Sequence, residues 1–101
     1  MTRLILRPIP VVFGCRGCER DDTAQQAAAE LDRCGLAEAS VAGTDSAKAR
    51  ARFPIYVIEG CGKRCAAQWL AGHGVTPQRS FVLDPAKELA AQLDVLKEAV
   101  A

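Results

Sequence analysis

Four short apolar runs recur along the chain, and each is followed by a stretch whose apolar residues return at helical intervals. Ile9–Gly14, Ala39–Ala42, Pro54–Ile58 and Ser80–Leu83 are the runs. Their length and β-branched or aromatic content predict strands rather than helices. Between the first two, Ala24, Ala27, Ala28 and Leu31 fall on one helical face. Asp21, Asp22 and Thr23 offer its N-cap, and Gly35 its stop. Asp45–Arg52 predicts a short helix. A third helix is expected from Cys61 or Gly62 to about Ala71, closed by Gly72 and Gly74. A last one is expected to start at Asp84 and Pro85, with Leu89, Leu93, Leu96 and Val100 as its stripe. Apolar strands alternating with helices predict a single small three-layer α/β domain over residues 1–101, with a mainly parallel four-stranded sheet.

Composition narrows the class. Half of the 101 residues are hydrophobic and a quarter charged, which excludes a disordered chain. A net charge of +1 gives no long-range attraction to nucleic acid, and 5% aromatic residues make a poor base-stacking surface. No apolar run approaches the ~20 residues of a membrane helix. Arg7, Pro8 and Pro10 interrupt the apolar N-terminus, and no small-residue cleavage site follows, so a mature cytoplasmic chain is expected. Thiols stay reduced there. Five cysteines therefore direct attention to metal or redox chemistry before structural disulfides.

Their positions sharpen this. Cys15 and Cys18 follow the first strand as Cys-x-x-Cys; Cys61 and Cys65 follow the third as Cys-x3-Cys. In parallel α/β folds, ligands sit outside the carboxyl ends of the strands. Both pairs are thus expected at one edge of the sheet. Four thiolates suit one tetrahedral Zn²⁺. Arg16, Arg20, Lys63, Arg64 and the expected helix start beside Cys61 would favour thiolates with or without a metal. A thiol–disulfide oxidoreductase with Cys15 as nucleophile and Cys18 as resolving thiol stands as the alternative, and an iron–sulfur cluster on the same four thiols as a third. A phosphate-cradling Cys-x5-Arg loop is excluded, because Asp21 and Ala67 occupy the arginine positions.

Other residues read more plainly. Cys34 lies three residues beyond Leu31 and is expected in the core as a small hydrophobe. His73 should cap the third helix about 15 Å from Cys61. Trp69 is expected to screen the cysteines or to fill the helix–sheet core. Glu59 is either an acceptor or acid/base group beside the cysteines, or an exposed strand-end carboxylate. Gly60 lets the backbone turn into the site. Lys48, Arg50 and Arg52 read as a solvated helix face.

Cys15, Gly17 and Cys18, followed by Ile58-Glu59-Gly60-Cys61 with Cys65, resemble the motifs of the DGC-domain family, small proteins named for an Asp-Gly-Cys sequence after an apolar strand. The helix after Cys65 and the Gly74-Val75 turn into SFVLD fit the same pattern, so the resemblance runs from about Val11 to Pro85. It implies zinc held by cysteines and no particular reaction. Glu59 stands where the motif has Asp, and Ser40 where the family often carries a further Cys.

Overall fold

A computed structural model describes residues 9–15, 23–44, 46–60, 63–84 and 86–100. The elements alternate as β1 (Val11–Gly14), α1 (Thr23–Arg33), β2 (Glu38–Val41), α2 (Ser46–Ala51), β3 (Ile55–Glu59), α3 (Cys65–Gly72), β4 (Arg79–Val82) and α4 (Leu89–Val100). The four strands form one parallel sheet in the order β2-β1-β3-β4. Val11 pairs with Glu38 on one side and with Ile55 on the other.

This order decides where the helices go. The connection from β1 to β2 runs one way along the sheet, and those from β2 to β3 and from β3 to β4 run the other. Right-handed crossovers then require α1 on one face and α2 and α3 on the opposite face. The side chains agree. Phe13 points to the α3 face, its ring 5.4 Å from that of Trp69. Gly14, its neighbour in the alternation, faces α1, where an added Cβ would lie 2.9 Å from the Ala24 carbonyl oxygen. The alanine stripe of α1 follows from that closeness: Ala24, Ala27, Ala28 and Leu31 are all buried. α4 lies on the α1 side, where Lys97 pairs with Glu30 at 3.2 Å.

The expected strands and the stripe of α1 are all present, with shifts of one or two residues at most strand ends. Gly35 ends α1 with φ of 76°. Of the last stripe Leu96 is buried, and Leu89, Leu93 and Val100 pack half-buried against the core. Three expectations are corrected. α4 begins at Leu89 rather than at Asp84. The Asp84 carboxylate accepts the Ala86 N–H at 2.9 Å, and the Gln92 amide bonds the backbone N–H and C=O of Asp84, so residues before Leu89 are held as a turn. Cys34 is exposed, not in the core, because it lies beyond the end of α1. Lys48 and Arg52 are more than a solvated face: both pair with Glu38, at 2.8 and 3.1 Å, and tie α2 to β2.

Two carboxylates are held below their ordinary range by cationic partners. Hydrogen bonds from Arg33 and then Lys97 hold the Glu30 carboxyl down at about 2. Those from Lys48 and then Arg52 lower that of Glu38. A carboxylate depressed in the folded state contributes stability above its unfolded value and loses it as pH falls through the folded one. Both pairs therefore stabilise the fold above pH ~4.5 and weaken as pH falls, that of Glu30 fading toward pH 2. Urea titrations at low salt should show a flatter acid limb for a Glu30→Gln, Glu38→Gln double variant. The difference should shrink at high salt, because both pairs are solvent-screened.

Candidate functional site: the carboxyl edge between two central strands

β1 and β3 are the neighbours at which the chain reverses its direction along the sheet. The crevice outside their carboxyl ends is where open α/β sheets bind ligands. Cys15 leaves β1 there, with its N–H donated to the Ile58 carbonyl at 3.0 Å. Its side chain is buried at 3% exposure. The Cys15 sulfur accepts the Gly60 N–H at 3.1 Å. Gln25, on the first turn of α1, donates its amide to the Cys15 carbonyl at 3.3 Å. The two strand ends are thus joined through a sulfur.

Gly60 does not need glycine for its own backbone, since its φ is not in the left-handed region. A Cβ added there would have one neighbour within 4 Å among the described residues, the Cys15 sulfur at 3.5 Å. A side chain at 60 would thus begin in van der Waals contact with that sulfur.

Glu59 is fully buried and is the one charged side chain of the core among the described residues. The strand's alternation explains its direction. Ile55, Val57 and Glu59 share the face that α3 covers. Its carboxylate accepts the N–H groups of Ala66 at 3.0 Å and Ala67 at 2.9 Å. These are two of the donors that the start of any helix leaves unpaired. The exposed-carboxylate reading of Glu59 is therefore overturned. The signal was present in the chain: a charge in phase with Ile55 and Val57 points inward, and a helix start lies a few residues on.

The same carboxylate sets where α3 begins. The helix opens at Cys65, with Arg64 as N-cap in the left-handed region at φ 58°, ψ 44°. The expected start at Cys61 or Gly62, with Cys61 as N-cap, is corrected accordingly. The positive end of α3 faces the Glu59 carboxylate, so two of the N-terminal N–H groups that could cradle a phosphate, those of Ala66 and Ala67, are already engaged. Arg64 reaches across to the Ser80 hydroxyl at 3.1 Å.

Cys65 is exposed in the first turn of α3. Cys18 and Cys61 lie outside the described residues. Among the described residues no three His, Cys, Asp or Glu side chains gather as a metal site, and two of the four expected cysteines fall outside that set. Trp69 packs between Phe13 and His73, in the helix–sheet core role. His73 is the exposed C-cap of α3, its Nδ1 3.5 Å from the Arg50 guanidinium. Beside Gly60 opens a cleft of about 200 Å³ that Thr23, Leu83, Asp84, Lys87 and Gln92 also line.

The fold and this edge define a doubly wound α/β domain with Cys15 at its topological switch point. The chain belongs to the DGC domain family, whose model matches residues 11–100. It is also 37% identical over 84 residues to the anaerobic and virulence modulator AnvM of Pseudomonas aeruginosa PAO1. That match covers 75% of this chain and 64% of the relative, so the chain spans a little under two thirds of the relative's length. No solved structure matches the chain. Among the described residues no helix is long and apolar enough to cross a membrane.

Proposed function

We propose that this domain is a cytoplasmic zinc–thiolate module in which Cys15, Cys18, Cys61 and Cys65 hold one Zn²⁺ at the carboxyl edge of the sheet. The observation that carries this reading is the hydrogen bond from Gly60 N–H to the buried Cys15 sulfur at 3.1 Å. It places the residue before Cys61 against the sulfur of the other loop. A backbone N–H donated to a sulfur fixes the direction from which that sulfur can meet an ion. The absence of a side chain at Gly60, next to the Cys15 sulfur, and the soft donor set suit the ion.

Four thiolates close the coordination sphere, which suits structural support or sensing rather than Lewis-acid catalysis. Sensing fits the name of the relative, an anaerobic and virulence modulator. Oxidation of the thiolates would release the ion and so report on oxidant. A thiol–disulfide oxidoreductase is less well supported, because its nucleophile Cys15 is buried.

Protein purified without oxygen is expected to carry about one zinc per chain by elemental mass spectrometry, and chelation to expose roughly four thiols. Cys15→Ser and Cys61→Ser should both weaken zinc retention. A chain that carries no metal, with Cys15 and Cys18 readily oxidised to a disulfide, would point to the redox pair instead. A brown protein with visible absorption would point to an iron–sulfur cluster.

A further inference from the structure

The metal reading leaves one buried group without a task. Glu59 has both carboxylate oxygens engaged, one by Ala66 N–H at 3.0 Å and the other by Ala67 N–H at 2.9 Å. Both oxygens are thereby turned toward the start of α3. The next residue, Gly60, directs its N–H to the Cys15 sulfur. Cys61 comes third, and Cys65 is the first residue of the helix that Glu59 caps.

We infer that Glu59 and Gly60 are the positioning residues of the cysteine centre. Glu59 ties the first turn of α3, and with it Cys65, to the end of β3. Gly60 ties Cys15 to the same strand end. Two consecutive residues thereby register a thiol from each loop against one fixed point. Glu59 acts through the backbone of α3 and contributes neither a ligand nor a proton. This inference rests on the metal reading.

Cobalt(II) is the probe, since its ligand-field spectrum reports which atoms bind it. Glu59→Gln keeps the shape of the side chain but offers one acceptor where the carboxylate offers two. Against a competing chelator it is expected to lose cobalt roughly 10–100-fold more readily than the wild type, the usual cost of disturbing a group that orients ligands. Its spectrum should be unchanged. Glu59→Asp, which keeps both acceptors, should recover most of the retention. Leu70→Ala, in the buried middle of α3, supplies a comparable loss of stability away from the helix start and should retain cobalt as the wild type does. Unaltered retention in Glu59→Gln would overturn the inference. So would a shifted spectrum, which would make Glu59 a ligand, or equal loosening by Leu70→Ala, which would reduce the effect to general stability. A wild-type chain that takes up no cobalt would overturn the metal reading and this inference with it.

Discussion

Replacing Phe13 by alanine is expected to lower the unfolding free energy by about 3–5 kcal/mol, the usual cost of removing a buried aromatic side chain. Phe13 is fully buried on the central strand β1, and its ring meets Trp69 of α3 at 5.4 Å. The contact between rings adds about 0.5–1.5 kcal/mol beyond the area it buries. A domain of this size holds only about 5–15 kcal/mol in total, so the variant should sit near the edge of folding. The urea midpoint measures the loss. Trp69 fluorescence should shift to the red in the folded baseline, because its screen on the β1 side is gone. A midpoint unchanged from wild type would mean that α3 is held by something other than this pair.

Gly14→Ala should cost about 1–3 kcal/mol for one added carbon, the range of overpacking. Its Cβ would lie 2.9 Å from the Ala24 carbonyl oxygen and 3.1 Å from the Gln25 Cα. Both are backbone atoms of α1 and cannot rotate away, so the helix must shift. Gln25 is also the residue that holds the Cys15 carbonyl, so the shift is transmitted to the cysteine edge. Gly72→Ala is the control. Nothing lies within 4 Å of a Cβ there, and the position is helical. It should be neutral or stabilising by roughly 0.5–1 kcal/mol. Equal effects of the two substitutions in thermal unfolding would contradict the close approach of α1 to β1.

The contrast between these glycines shows what could be read in advance. The alternation of apolar runs with helical stripes follows from burial alone, so the parallel sheet and the alanine face of α1 were legible. So was the placing of Cys15 and Cys65 after β1 and β3, since strand order puts those positions at the carboxyl edge. What failed was local. Cys34 continues the spacing of Leu31, but spacing cannot say that the helix stops at Arg33. Cys61 and Cys65 stand at a helical interval, yet the start of α3 is fixed by a carboxylate from a different element, and spacing within the helix carries no trace of it. Asp84 likewise offers a cap by composition, but it spends its side chain on its own turn. At α3 and α4 a hydrogen bond from outside the helix decided the boundary; the inward phase of Glu59 was legible, but which N–H groups it would meet was not.

The pairing of β1 with β3 also sets an order in time. The Gly60 N–H that meets the Cys15 sulfur lies 45 residues further along the chain. At ~5–20 residues per second, the ribosome makes that partner roughly 2–9 s after the cysteine itself. In that interval Cys15 has neither strand β3 beside it nor a donor on its sulfur. Burial of the Cys15 thiol thus waits until α1, β2 and α2 have been made and β3 can join β1.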